Sequence, residues 1–189
     1  MLRREEVVAL VTAAGASSRM GRPKALVAWP PGAGTTLVEH QVRALAGFRA
    51  IVVVTGAHAF APPAPAVEAH NARWAEGRST SLEVGAAALP DDARAVLVTA
   101  VDQPLDPDVV DALLATLDLE QDDAVQPMSR ATGRRGHPLV LAGRHLAALR
   151  QASRFPEGLR GILAAHPARA VPVDSPAIHL DLNTPADVV

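Results

Sequence analysis

Short runs of β-branched and apolar residues alternate along the chain with longer segments rich in alanine and leucine. The short runs carry few polar positions, which is typical of parallel strands whose two faces are both covered. The pattern predicts six strands, which are Val7–Val11, Ala50–Thr55, Ala95–Ala100, Asp123–Met128, His137–Ala142 and Ala168–Val173.

The longer segments are predicted to be helices, and polar residues that favour helix starts precede three of them. Thr35 or Thr36 is expected to cap the first helix, with Glu39 completing a capping box. Ser79 and Asp106 are the expected caps of the second and third helices. The predicted helices are Thr36–Ala46, Ser79–Leu89, Pro107–Leu117, Gly143–Ala152 and Gly158–Ala165.

Strands that alternate with helices in this way predict an α/β fold with a mostly parallel sheet. Two proline-rich stretches, Trp29–Gly34 and Phe60–Ala66, are expected to be exposed loops. Because no linker is long enough to divide the chain, we expect a single domain over residues 1–189.

Composition excludes several classes of function. The 189 residues are 49% hydrophobic and 20% charged, and the net charge of −2 gives no general attraction to nucleic acid or anionic membranes. No stretch approaches the roughly 18 apolar residues of a membrane span, and the N-terminus lacks the apolar region of a secretory signal. The absence of cysteine excludes disulfides and thiolate catalysis and fits a cytoplasmic location. The seven histidines include no pair at helical metal-binding spacing.

A glycine-containing loop, AAGASSRMGRPK, directly follows the first predicted strand. Ligands of open parallel sheets bind at this end of the strands. Gly15 and Gly21 allow tight or left-handed turns, and successive backbone N–H groups in such a loop can bind an anion. Arg19 and Lys24 add cations that suit a polyphosphate. The glycine spacing by itself fits a solvated turn with two incidental cations equally well.

The run TAAGASSRMGRPK resembles the signature LAAGxSxRMGxxK of the molybdenum cofactor cytidylyltransferase-like nucleotidyltransferases. The resemblance implies the family's Rossmann-like fold, a three-layer, doubly wound, mostly parallel sheet. It implies that Ala14 and Gly15, with Ala13 beside them, approach the base and ribose, and that Arg19 and Lys24 contact the phosphates. Members with AAG rather than AGG tend to use CTP, so the resemblance favours CTP.

Two further segments carry the expected metal ligands. In VTAVDQPLD, Asp102 ends a hydrophobic strand, where a carboxylate needs compensation by a cation or serves as a turn or helix cap. The DQP sequence resembles the same family, in which Asp102 would bind Mg²⁺. The segment HLDLNTPADV resembles the terminal DxDTPED motif and places Asn183 where many members have aspartate. Asp181, two residues earlier, is the alternative second ligand, and Asn183–Thr184–Pro185 also fits a simple helix start.

Two other segments imply substrate contacts. NARWAEGRSTSLEVG resembles the NxxWxxGxxxSLxxG segment beside the base, with Gly77 allowing close approach and Ser81 as the contact. GRRGHPLVL resembles the GxGHPV segment that faces the acceptor, so Gly136 and His137 are the expected acceptor-binding residues. A structural role for His137 is equally open. FPEGLRGIL departs from the family's GDxGxR stretch, which implies altered acceptor recognition.

The resemblance implies a nucleotidyltransferase that moves CMP from CTP onto a phosphate of an acceptor such as molybdopterin cofactor, with Mg²⁺, and releases pyrophosphate. It also implies transient contact with a molybdoenzyme or its chaperone. Arg19, Lys24 and Asp102 are the expected catalytic residues. One alternative keeps the reaction but uses a sugar phosphate or other small phosphate, with CTP, UTP or GTP. Two others change the class: an NADPH-dependent reductase of the nicotine-blue type, and a non-catalytic nucleotide- or cofactor-binding chaperone.

Overall fold

A computed structural model describes residues 2–188, so the two ends of the predicted domain lie outside the described residues. One sheet of seven strands forms the middle of the molecule, with helices on both of its faces. The strands are β1 (Val7–Thr12), β2 (Ala50–Thr55), β3 (Val67–His70), β4 (Ala95–Ala100), β5 (Ala124–Ser129), β6 (Leu139–Ala142) and β7 (Ala168–Val173).

The strands are ordered β3-β2-β1-β4-β6-β5-β7 across the sheet. All neighbouring pairs are parallel except the two that involve β6. The predicted α/β class and mostly parallel sheet are therefore confirmed, as are the six predicted strands to within two residues at each end. The exception is β6, whose apolar run forms an antiparallel strand.

The reversal of β6 follows from the short connection that precedes it. Residues 130–138 join β5 to β6, whereas a parallel crossover needs about a dozen residues or more. The connection instead folds back on itself, and Met128 forms an isolated antiparallel bridge with Arg135. Length, rather than hydrophobicity, thus decides the direction of this strand.

The pattern did not predict β3. This strand lies at the edge of the sheet, and three of its four residues are exposed. An edge strand with little burial needs no apolar run, so its sequence VEAH carries no periodic signal. The proline-rich stretches before β3 and after the first loop are irregular and largely exposed, as predicted.

Within residues 2–188, five α-helices lie on the connections between the strands. The fourth is shorter than predicted, because 3-10 turns take the place of its two ends. Residues predicted as one helix over 143–152 form a 3-10 turn at Gly143–His145, a single helical turn, and a second 3-10 turn at Ala152–Arg154. No helix within residues 2–188 is long and apolar enough to cross a membrane. The helices are α1 (Leu37–Ala44), α2 (Arg78–Ala87), α3 (Pro107–Thr116), α4 (Leu146–Leu149) and α5 (Leu159–Ala165).

Two of the three predicted helix caps are confirmed. Thr36 and Glu39 form a reciprocal capping box at α1, and the Asp106 carboxylate accepts a hydrogen bond from the Asp108 N–H at the start of α3. Ser79 is not a cap, because α2 begins one residue earlier. Its N-terminal flanking residue is Gly77, whose φ of 121° is a conformation that glycine adopts without strain.

The alternation of side chains along β1 builds the two apolar layers. Val7, Ala9 and Val11 pack into the layer that contains α1 and α3. Val8 and Leu10 point to the opposite face and pack with α2, α4 and α5. Because successive strand residues face opposite sides of the sheet, a central strand covered on both sides must be apolar throughout. The result is the predicted three-layer, doubly wound arrangement.

Candidate functional site

Two adjoining clefts open at the carboxyl ends of β1 and β4. The chain leaves β1 toward one neighbour while β4 lies on the other side, which is where open α/β sheets leave a crevice. The first cleft has a volume of about 210 Å³. Of the residues predicted to bind nucleotide or metal, those that line the first cleft are Ala13, Ala14, Gly15, Arg19, Lys24, Ser81, Asp102 and Asn183.

The glycine loop presents unpaired backbone donors to the first cleft. Within residues 2–188, none of the backbone N–H groups from Ala14 to Arg19 donates an intramolecular hydrogen bond. The left-handed positions of the loop are Ser17, with a φ of 52°, and Gly21, with a φ of 70°. Gly15, which is expected from the sequence to allow a tight or left-handed turn, lies in a bend and does not have a positive φ. Free N–H groups in succession are the arrangement that binds phosphate oxygens.

Contacts with the connection after β2 hold the loop in place. The Ala14 carbonyl accepts a hydrogen bond from the Ala57 N–H at 3.0 Å, and His58 Nε2 donates to the Ala16 carbonyl at 2.8 Å. A Cβ on Gly56 would lie only 2.8 Å from the Ala14 carbonyl oxygen, so this close approach requires glycine. The carbonyls of Ala14 and Ala16 are thus bound by the connection after β2, while the N–H groups from Ala14 to Arg19 have no intramolecular acceptor within residues 2–188.

Lys24 joins the loop to the two expected metal ligands. Its ammonium Nζ lies 2.5 Å from Asp102 Oδ2 and 2.8 Å from Asn183 Oδ1. Arg19 Nη2 lies 3.5 Å from the same Asn183 oxygen. Only 8% of the Asp102 side chain is exposed, and a carboxylate so far removed from water requires a cation beside it. A carboxylate oxygen and an amide oxygen therefore converge on one cationic position.

A buried glutamine fixes the segment that carries Asp102. Gln41 on α1 is fully buried, and its Nε2 donates to the carbonyls of Ala100 at 2.9 Å and Gln103 at 2.7 Å. Its Oε1 accepts from the Leu105 N–H at 3.1 Å. One side chain thereby shapes the turn after β4. The sequence pattern did not single out Gln41, since a lone polar residue in a helix gives no signal of this role.

The C-terminal segment is tied to the same turn. The Leu182 N–H donates to the Asp102 carbonyl at 2.9 Å, which places Asn183 next to Asp102. Asp181 is exposed and lies outside both clefts, while its backbone carbonyl accepts from Asn183 Nδ2 at 3.2 Å. The structure therefore brings Asn183, rather than Asp181, to the cationic position.

On the other wall of the first cleft, Ser81 is held by Asn71. The Asn71 side chain is fully buried and donates to Thr80 Oγ1 at 2.9 Å and to Ser81 Oγ at 3.0 Å. Gly77 starts the helix that carries Ser81 but does not line either cleft. Arg78, next to it, lines both clefts, and the sequence pattern did not identify it.

The second cleft, of about 580 Å³, contains the two expected acceptor-binding residues, Gly136 and His137. A Cβ on Gly136 would lie 2.2 Å from the Ile178 carbonyl oxygen, so glycine is needed here for packing. His137 Nε2 is buried and has no hydrogen-bond partner within residues 2–188. Burial lowers the pKa of the His137 imidazole, and the charges of Asp181 and Asp102 oppose that shift. The imidazole of His137 thus lies beside the second cleft, with its Nε2 buried in the protein.

Three arginines and one acid give the second cleft a cationic lining. Arg78, Arg135 and Arg160 line it together with Glu157, and leucines supply apolar walls. Such a lining suits an anionic small molecule with an apolar part. The two clefts share Thr12, Arg78 and Ala100, so ligands in them would lie side by side.

The fold and the clefts together define an α/β protein with a crevice at the carboxyl ends of its strands, lined by the glycine loop and by cationic side chains. A model of the MobA-like NTP transferase domain matches residues 9–171. The chain therefore belongs to the MobA-like NTP transferase family, and it is a nucleotidyltransferase. The molybdenum cofactor cytidylyltransferase of Escherichia coli (strain K12) is 28% identical over 95% of this chain and 92% of its own length.

Solved structures share the fold. Rv0371c from Mycobacterium tuberculosis H37Rv superposes with a TM-score of 0.75 at 22% identity over 98% of this chain and 96% of its own. A structure of the same protein in complex with manganese gives a TM-score of 0.66 at 23% identity, over 96% and 94%. The 2-C-methyl-D-erythritol 4-phosphate cytidylyltransferase from Thermus thermophilus gives 0.69 at 20% identity over 95% of this chain and 94% of its own.

Proposed function

We propose that this nucleotidyltransferase moves CMP from CTP onto a phosphate of a small anionic acceptor and releases pyrophosphate. The observation that carries the proposal is the meeting of the glycine loop with Asp102 in the first cleft, where Lys24 Nζ lies 2.5 Å from the carboxylate. The choice of CTP rests on the AAG sequence of the loop and on the two relatives that are named cytidylyltransferases.

The residues at the cationic position fit Mg²⁺. Asp102 and Asn183 offer a carboxylate and an amide oxygen that already converge on one positive charge, and Mg²⁺ prefers few protein oxygens together with substrate phosphates. When bound, Mg²⁺ would neutralise phosphate charge and polarise the phosphoryl oxygens. Rv0371c, which shares the fold, has been solved with manganese.

The protein's own groups would bind and orient the triphosphate. The free N–H groups from Ala14 to Arg19 bind its oxygens, and the Arg19 guanidinium stabilises the charge on the leaving pyrophosphate. Lys24 exchanges its contacts with Asp102 and Asn183 for phosphate oxygens. Ser81 and the backbone around Ala13 contact the nucleoside. The acceptor phosphate is already ionised at neutral pH and needs no strong base, so catalysis consists of positioning and electrostatic stabilisation.

The acceptor would occupy the second cleft, as a phosphorylated small molecule such as molybdopterin cofactor. Arg78, Arg135 and Arg160 supply positive charge for its phosphate, and Gly136 and His137 form the wall toward the C-terminal segment. His137 Nε2 is buried without a partner within residues 2–188, so its hydrogen bond to the acceptor would require the imidazole to rotate toward the cleft. In this reading the enzyme works in the cytoplasm and transiently contacts the molybdoenzyme or chaperone that receives the product.

A second candidate keeps the reaction and changes the acceptor to a sugar phosphate or other small phosphate. The altered segment Pro156–Glu157–Gly158 favours this candidate, since Glu157 lines the second cleft and the segment departs from the family's GDxGxR stretch. Family membership favours both candidates over a reductase of the nicotine-blue type or a non-catalytic chaperone.

A pyrophosphate-release assay tests the proposal. The enzyme is incubated with Mg²⁺, one of CTP, UTP or GTP, and molybdopterin cofactor or a panel of sugar phosphates. We expect pyrophosphate release with CTP and molybdopterin cofactor together and none with either alone. Release that needs UTP or GTP would overturn the choice of nucleotide, and release only with a sugar phosphate would overturn the choice of acceptor. NADPH oxidation without pyrophosphate release would overturn the reaction itself.

A further inference from the structure

Three side chains of metal-binding types meet at the end of the sheet where the parallel strands begin, which is opposite the two clefts. Asp123 immediately precedes β5, His166 lies two residues before β7, and His145 follows β6. Because β6 runs antiparallel to β5 while β5 and β7 are parallel, the last residue of β6 and the first residues of β5 and β7 lie at the same end of the strands. The topology therefore gathers residues that the sequence spaces about twenty positions apart.

The three side chains are already in contact. Asp123 Oδ1 lies 2.8 Å from His145 Nε2, and Asp123 Oδ2 lies 3.7 Å from His166 Nδ1. The two imidazole rings contact each other with their centroids 4.2 Å apart. One ligand atom from each residue lies within 4.8 Å of the other two, and within residues 2–188 this is the one group of three or more acidic or histidine side chains with that property.

We propose that Asp123, His145 and His166 form a binding site for zinc. Two imidazole nitrogens and one carboxylate oxygen are a typical zinc ligand set, whereas Mg²⁺ and Ca²⁺ favour oxygen ligands alone. Four-coordinate zinc, with bonds of about 2.0–2.2 Å, holds its ligand atoms about 3.3 Å apart. Insertion of the ion between the ligands therefore requires only small side-chain movements. The fourth position is left to water.

The surroundings orient the carboxylate and leave a path to solvent. Arg144 Nη2 donates to Asp123 Oδ1 at 3.1 Å, and the same guanidinium binds the carbonyls of Leu119 and Asp122 at 2.5 Å each. A hydrogen bond of this kind fixes a metal-binding carboxylate from outside the ligand set, although the positive charge lowers the affinity. His145 is buried, while about a third of the Asp123 and His166 side chains is exposed.

Zinc at this place would join three separate connections of the chain. Asp123 immediately precedes β5, His145 lies between β6 and α4, and His166 directly follows α5. An ion bound only by the folded protein stabilises it by mass action. The site lies at the amino ends of the parallel strands, whereas the two clefts lie at their carboxyl ends. Its role is therefore structural and independent of nucleotidyl transfer.

Cobalt, which takes the place of zinc and absorbs visible light, tests the site. Co²⁺ is titrated into the whole chain in excess Mg²⁺. We expect one Co²⁺ per chain with the strong visible absorption of four-coordinate Co²⁺, and loss of that absorption when zinc displaces it. His166→Ala should weaken binding at least about tenfold, while nucleotidyl transfer with Mg²⁺ is unchanged. His70→Ala, which removes an exposed imidazole at the other side edge of the sheet, should leave Co²⁺ binding unchanged.

Two further measurements keep the test decisive if His166→Ala is less stable. His166→Cys, which supplies a thiolate ligand, should restore Co²⁺ binding. Zinc at about 100 times its dissociation constant should raise the Tm of the wild type by roughly 5–10 °C, and that of His166→Ala much less. Absence of the four-coordinate spectrum, equal binding in His166→Ala, or loss of binding in Asp102→Asn would overturn the proposal. The last outcome would place the ion in the nucleotide cleft instead.

Discussion

Under the proposed function, Lys24 would act in the first cleft both before and after the nucleotide binds. Its ammonium compensates the nearly buried Asp102 carboxylate, and only 14% of its own side chain is exposed. Removal of either partner alone would leave an uncompensated charge in a poorly hydrated place, which is costly. A triphosphate that brings its own cation can replace both interactions. The ion pair thus keeps the expected metal ligands in place until the nucleotide binds.

Arg19 offers a cleaner test at the residue scale, because it is exposed and its loss leaves no buried charge. Arg19→Ala should weaken CTP binding by about 10–100-fold, since a charge-assisted hydrogen bond contributes about 1.5–3 kcal/mol. Arg22→Ala removes a cation three residues along that lies outside the first cleft, and it should change little. Isothermal titration calorimetry measures both, and equal effects of the two variants would contradict the predicted role of Arg19.

Gly136 belongs to the element scale, because it sets how closely the β5–β6 connection approaches the C-terminal segment. Gly136→Ala should lower the free energy of unfolding by about 1–3 kcal/mol, since the new methyl group would collide with the Ile178 carbonyl. Gly15→Ala is the matched control, because no heavy atom lies within 4 Å of its added Cβ. Urea unfolding should show a change below about 0.5 kcal/mol for the control. A comparable loss in both variants would contradict the packing explanation.

Glu83 connects α2 to the 3-10 turn at Ala152–Arg154. Its carboxylate accepts hydrogen bonds from the Ser153 hydroxyl, from the Ser153 N–H at 2.9 Å and from Arg73 Nη2 at 2.8 Å. The hydrogen bond from the Ser153 hydroxyl has the largest effect on the pKa of Glu83 and lowers it. Burial has the next largest effect and opposes this shift, while the Ser153 N–H and Arg73 lower the pKa further. Because the pKa is lower in the folded state, the stabilisation is complete above about pH 4.5 and is lost as the pH falls through the folded-state pKa.

Glu83→Gln should therefore lower the free energy of unfolding by about 1 kcal/mol at neutral pH. The difference from the wild type should shrink as the pH falls to about 4 and below. Urea unfolding at several pH values measures both effects, with Glu120→Gln, an exposed acid on the α3–β5 connection, as the control. A difference that stays constant with pH would show that the carboxylate's charge is not what stabilises the contact.

The strands and helices that the sequence predicts well are those whose own residues form a recognisable pattern along the chain. Buried strands such as β1 and β4 are continuous apolar runs, and α1 and α3 carry capping residues at their starts. The edge strand β3 and the direction of β6 depend on neighbours distant in sequence, so periodicity could not predict them. The same limit applies to the predicted helix over 143–152. The structure divides this segment into α4 and two 3-10 turns, the first of which contains a buried histidine.

The fold places two distinct groups of polar residues at opposite ends of the strands of one sheet. Motif spacing pointed to the glycine loop, Asp102 and Asn183 separately, and the fold brings them together in the first cleft. Gln41 and the Asp123 triad belong to no local motif, because their partners come from other elements. Asn71 lies inside the NxxWxxGxxxSLxxG segment, but the motif does not show that its side chain holds Thr80 and Ser81. Sequence motifs thus identify residues that line the first cleft better than they identify the residues that hold those segments in place.

The most direct test of the nucleotide site is the Mg²⁺ dependence of CTP binding, measured by isothermal titration calorimetry on the wild type and on Asp102→Asn. The substituted amide keeps the size of the side chain but removes its charge, which leaves the Lys24 ammonium uncompensated and should lower the Tm. Circular dichroism at the temperature of the titration checks that both proteins are folded. We predict that Mg²⁺ strengthens CTP binding to the wild type at least about tenfold and that Asp102→Asn loses this gain. The same gain in both proteins would contradict a metal–nucleotide site at Asp102.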